Sequence, residues 1–214
     1  MVVLQFILMI LPLVVAVVLH ELAHGYVADR LGDPTARLAG RLTLNPLKHL
    51  DVFGSFLLPV ALKLSGSPVI FGYAKPVPTD PRNFRSRLGV LFVAAAGPFM
   101  NLLLAFVFIN LYALGVTMEW PMFQGQAAAM FFGFLANINL LLMIFNLIPI
   151  GPLDGHYILP YFLPRRLAQI YNYYNDRYGH WLLLALVALA LMGVPIFRYV
   201  WDFGQVVLQW LILF

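Results

Sequence analysis

The chain has 214 residues, of which 62% are hydrophobic and only 10% charged, and its mean hydropathy of +0.87 excludes a soluble globular domain and describes an integral membrane protein. The formal net charge of +4 reports orientation in a bilayer rather than nucleic-acid binding, because basic residues gather beside membrane spans. No cysteine is present, so disulfides, thiolate ligands and a Cys nucleophile are excluded, and any metal must be held by His, Asp or Glu.

The expected architecture is an all-α polytopic membrane protein with five to six transmembrane helices and a re-entrant helix/strand element after the first span. A single domain over residues 1–214 is expected, with a core of about 1–160 and a C-terminal helix pair at about 178–214. The first apolar run, Val2 to Leu19, lacks the basic leader and small-residue cleavage site of a secretory signal and is expected to be retained. At its end stands His20-Glu21-Leu22-Ala23-His24. Histidines four residues apart lie one turn apart on one helix face, so both imidazoles can reach one Zn²⁺ while Glu21 lies beside the water that such an ion acidifies. Two His and a Glu in an apolar helix are costly unless paired or metal-bound, which makes function the default reading.

The next run, Val52 to Leu64, has thirteen residues and spans about 20 Å, short of the ~30 Å hydrocarbon core. It reads as a re-entrant helix that breaks at Ser65-Gly66-Ser67-Pro68 and returns as an extended segment through Val69 to Pro78. A short tilted span is the alternative. Leu88 to Val116 follows, then Ala127 to Ile150, Tyr178 to Val194 and Ile196 to Phe214.

Three basic stretches, centred on Arg30 to Lys48, Lys75 to Arg87 and Arg165 to Arg177, hold eleven of the thirteen basic residues. The connection from Thr117 to Gln126 carries only Glu119. The positive-inside rule then puts the basic stretches and the HELAH end of the first span on the cytoplasmic side, in what is expected to be the cell membrane.

A catalytic zinc needs a third protein ligand and an open position. Among nine acids, Glu21 already belongs to the motif; of the other eight, Glu119 and Asp202 fall on or near the outer side, and Asp29, Asp33, Asp51, Asp80 and Asp176 read as solvated loop residues. Asp154 alone stays attached to an apolar span. It follows Asn146-Leu147-Ile148-Pro149-Ile150-Gly151-Pro152-Leu153, whose prolines and glycine break the helix and aim a loop back into the protein. His156 reads as neither ligand nor essential, His49 and His180 as interfacial, and Asn101 and Asn139 as interhelical hydrogen-bonding residues.

HELAH, the NLIPIGPLDG segment from Asn146 to Gly155 and Ala96-Gly97-Pro98-Phe99-Met100-Asn101 together resemble the three motifs of the site-2 protease family of intramembrane zinc metalloproteases, in its compact form without PDZ or CBS domains. The resemblance covers about Val14 to Leu159. It implies one Zn²⁺ per chain on His20, His24 and Asp154, with Glu21 as general base and acid. It further implies a transmembrane protein substrate cut within the bilayer, and a contact from Asn146 to the substrate or oxyanion. Two other readings compete: an inactive metal-stabilised scaffold, which has no need of Glu21, and a zinc transporter, which wants ionisable residues spread along a path.

Overall fold

The computed structural model describes residues 2–51, 54, 57, 60, 64 and 74–213. Helix α1 runs unbroken from Val2 to Arg30, carrying HELAH in its second half. A single turn, α2, covers Thr35–Leu38. Two apolar helices follow, α3 over Gly89–Thr117 and α4 over Gln126–Asn146. The short α5, Asp154–Ile158, begins at the predicted aspartate. Helix α6 spans Arg165–Leu191 and α7 spans Ile196–Leu211.

Among the described residues three helical segments are long and apolar enough to cross a membrane: Leu11–Arg30, Gly89–Thr117 and Gln126–Asn146. The C-terminal pair departs from expectation. The third basic stretch lies inside α6 rather than in a loop, so the first half of that helix, RRLAQIYNYYNDRYGH, is polar. Helix α7 has 16 residues, about 24 Å of rise, less than the ~30 Å hydrocarbon core. The proposed re-entrant element lies largely outside the described residues. The part of its return that is described, residues 74–80, has no regular secondary structure.

Lipid is as apolar as leucine, so helices in a bilayer associate where small side chains let backbones close and where polar groups pair. Ala16, Ala105 and Ala136 are fully buried at such approaches. A core of Ala105, Ile109, Ala136, Leu140, Met143 and Leu208 joins α3, α4 and α7. Asn110 clamps the end of α7, donating to the Leu211 carbonyl at 2.8 Å and accepting from the Leu213 amide at 2.8 Å. Leu103, Val107, Leu111, Leu182 and Leu184 point outward, as lipid-facing residues do.

Two polar loop residues are buried within the protein. His49 is 2% exposed, with Nε2 2.9 Å from the Thr43 carbonyl. Asp33, expected to be solvated, is instead 0% exposed. It accepts the Asp80 amide at 2.6 Å, the Asn83 carboxamide at 2.9 Å, the Thr35 amide at 3.1 Å and the Thr35 hydroxyl. The loop after α1 is thereby tied to the segment that precedes α3. Burial pushes the Asp33 carboxyl up, but these four donors outweigh it and hold the group below its ordinary value. Neighbouring Asp80 is held down to about 2, chiefly by the Arg82 guanidinium.

A folded value lower than the unfolded one means that Asp33 contributes its full stability above the ordinary carboxylate pKa and loses it as pH falls through the folded value. Asp33→Asn replaces an acceptor by a donor facing donors, and a loss of about 2 kcal/mol is expected. Thermal midpoints measured in detergent will show wild type above the variant at neutral pH, with the gap closing below about pH 4. A gap independent of pH would contradict this account.

Candidate metal centre

His20 and His24 project from one face of α1, their rings 4.6 Å apart and nearly perpendicular. Asp154 reaches them from the start of α5: its Oδ2 lies 3.3 Å from His20 Nε2 and its Oδ1 3.4 Å from His24 Nε2. The two Nε2 atoms are 3.1 Å apart. One ligand atom from each residue falls within 4.8 Å of the others. The three residues selected in the sequence are therefore brought together across more than a hundred positions of chain.

The donor set fits a metal ion. His24 Nδ1 lies 2.7 Å from the Val93 carbonyl oxygen, which can only accept, so Nδ1 carries the proton and Nε2 turns a lone pair toward the centre. Asp154 Oδ2 is buried without a hydrogen-bond partner. Converging lone pairs from two imidazoles and a carboxylate, with an unsatisfied buried oxygen among them, suit Zn²⁺.

Helix α3 supplies the back wall. Val93, Gly97 and Asn101 recur at four-residue spacing and face α1: the first offers its carbonyl to His24, the last its carboxamide oxygen to His20 Nδ1 at 2.5 Å. Gly97 lies between them. A Cβ there would overlap His24 Nε2 and His20 Cε1. Gly97→Ala is therefore expected to displace both rings and weaken zinc binding by at least about 10-fold, the lower end for losing a ligand's supporting contact. Competition with a chromophoric chelator measures this, and unchanged affinity would show that the rings have room to spare.

The Asp154 loop is held from two sides. A Cβ on Gly155 would overlap the Leu147 carbonyl, so the start of α5 packs directly on the end of α4. From α6, Asn175 Oδ1 accepts the Gly151 amide at 3.0 Å, and the Tyr171 hydroxyl donates to the Pro149 carbonyl at 2.8 Å. The Gly151–Pro152 bond is cis. Neither Asn175 nor Tyr171 was singled out in the sequence, where both sit in a polar stretch without a motif.

Glu21 accepts the Val77 backbone amide at 2.7 Å, which sets residues 74–80 beside the HELAH turn. Asn146 ends α4, its amide donating to the Leu142 carbonyl one turn back at 3.0 Å. That bond belongs to its own helix. His156 stands outside the triad, 3.5 Å from Asp176; burial holds its pKa below the ordinary value, reinforced by His180 and opposed by Asp176.

An HExxH helix long and apolar enough to cross a bilayer, met by an aspartate from a broken later segment, defines a class, the membrane-embedded zinc metalloproteases. The chain belongs to Peptidase family M50, the site-2 protease family, whose model matches residues 8–120 and 115–192. It is similar to YwhC of Bacillus subtilis, 42% identical over 161 residues that cover 73% of this chain and 69% of that protein. Rip2 of Mycolicibacterium smegmatis is 34% identical over 154 residues, 71% of this chain. The matched part spans only 55% of that relative's length. Both relatives are named as zinc metalloproteases. No solved structure matches. The chain is thus a membrane metalloprotease with zinc as its cofactor, and the His20, His24 and Asp154 cluster can hold the ion.

Proposed function

We propose that the chain hydrolyses peptide bonds within or near transmembrane segments of membrane-protein substrates, from a centre near the cytoplasmic face of the cell membrane. The observation that carries this reading is the position of His20 and His24 inside the candidate span Leu11–Arg30, where Asp154 meets them at 3.3 and 3.4 Å. A zinc site at that depth faces membrane-embedded chains. An apolar groove of about 890 Å³ between α1 and α3, lined by Leu19, Leu22, Ala23, Tyr26, Ala96 and Phe99, runs alongside the histidine-bearing turn.

His20, His24 and Asp154 would hold Zn²⁺, which would supply an acidified water and polarisation of the scissile carbonyl. Glu21 takes the proton on its carboxylate and returns it to the leaving amine. The Val77 amide orients that carboxylate. The Asn146 carboxamide, at the entrance of the Asp154 loop, is assigned to the substrate or oxyanion, since its bond to Leu142 uses only one of its two N–H donors. Asp154 and the two histidines gather at one point rather than along a path, which favours hydrolysis over zinc transport. A silent scaffold would need Glu21 only to accept the Val77 amide, a role that glutamine fills equally well.

A helical peptide bond is shielded by its neighbours, so the substrate must unwind before attack. In liposomes, a single-span peptide with a central Gly-Pro pair is expected to be cut at least about 10-fold faster than its all-leucine counterpart, a barrier difference of about 1.4 kcal/mol. Cleavage confined to soluble unfolded protein would overturn the proposal.

A further inference from the structure

We propose that Asn139, on α4, is a positioning residue that fixes the protonation pattern of His20 through Asn101 and so prepares the metal centre before any ion arrives. The inference rests on the ligand assignment above but not on proteolysis. Asn139 Nδ2 lies 2.7 Å from the Leu135 carbonyl oxygen, an atom that can only accept, so the NH₂ of Asn139 must face it. Its Oδ1 then faces Asn101, whose Nδ2 donates to it at 2.9 Å. Asn101 Oδ1 is left to face His20 Nδ1 at 2.5 Å. Nδ1 must therefore carry the proton, and Nε2 keeps its lone pair for the metal.

Each link has one permitted direction, set by a helix carbonyl that cannot change role. Asn101 and Asn139 are both 0% exposed, so water cannot take over a broken link. Reversing Asn101 would present an N–H to His20 Nδ1 and move the imidazole proton to Nε2, where it would block the ligand. Only a weaker 3.4 Å contact to the Ala16 carbonyl also holds the Asn101 amide, and that carbonyl becomes its sole partner if Asn139 is lost. His24 needs no such relay because Val93 gives its ring a backbone acceptor directly. The two ligands on one helix thus reach the same tautomer by different means.

The test uses the whole chain in detergent with ¹⁵N-labelled histidine. In metal-free wild type, His20 shows a protonated Nδ1 and an unprotonated Nε2. In Asn139→Leu the Nε2–H form appears, and cobalt(II), followed by its visible absorption, binds about 10–100-fold more weakly. Asn110→Leu, which removes a buried asparagine from the α7 clamp, leaves cobalt affinity and the His20 signal unchanged. Asn101→Asp supplies an acceptor whatever faces it, so adding it to Asn139→Leu restores affinity. An unaltered tautomer and affinity in Asn139→Leu, or absence of rescue in the double variant, overturns the proposal. Loss of cobalt binding in wild type would instead overturn the ligand assignment itself.

Discussion

Glu21→Gln is expected to lower peptide cleavage by about 10²–10⁴-fold, the usual contribution of a positioned general base and acid, while zinc content stays at the wild-type level. The two outcomes separate because the roles do. The ligand atoms gather from His20, His24 and Asp154, and Glu21 is absent from that cluster. Gln preserves length and can still accept the Val77 amide that Glu21 Oε2 accepts at 2.7 Å, so the surrounding backbone has no cause to move. What the variant lacks is a site for the proton. Zinc by elemental analysis and cleavage by mass spectrometry on one preparation decide the matter. Equal cleavage would remove Glu21 from the mechanism, and joint loss of zinc would make it a structural residue.

Asp154→Ala is expected to cost more in metal binding than any loss in the supporting shell. Removing a hydrogen-bond partner of a ligand typically weakens affinity 10–100-fold. Removing one of three protein ligands is expected to exceed about 100-fold on the same scale, because two imidazoles alone leave two coordination positions to water. The helical framework tolerates the change: α5 begins at Asp154, but its packing on α4 depends on Gly155 against the Leu147 carbonyl. Unchanged zinc content in this variant would mean that another residue completes the site. The Asn175 clamp on Gly151 offers a graded comparison, since its loss frees the loop without deleting the ligand.

The site was legible in the sequence to the extent that its chemistry is local or scarce. His20 and His24 share a helix face by spacing alone, and Asp154 emerged because only nine acids exist and, beyond Glu21 of the motif itself, the others read as outer-side or loop residues. The supporting contacts were not legible to the same degree. Asn101 and Asn139 read as helix-packing residues, because the direction of a carboxamide depends on which carbonyl faces it after folding. Gly97 looked like part of a motif without a purpose until the two rings were found where its Cβ would be. Asp33 was misread because a polar residue in a loop reads as solvated unless the loop is known to pack. The α6 boundary was lost because RRLAQIYNYYNDRYGH, although polar, contains nothing that stops a helix, and hydropathy cannot see a helix that continues past the apolar zone.

The proposed cleavage inside the bilayer by this zinc centre has a direct test. The direct measurement is the position of the cut in a single-span peptide reconstituted with the purified chain in liposomes, read by mass spectrometry of both fragments. The account predicts a bond inside the hydrophobic segment, one or two turns from its cytoplasmic end, cleaved by wild type and not by Glu21→Gln. A cut confined to the aqueous tail, or the same cut made by both proteins, would contradict it.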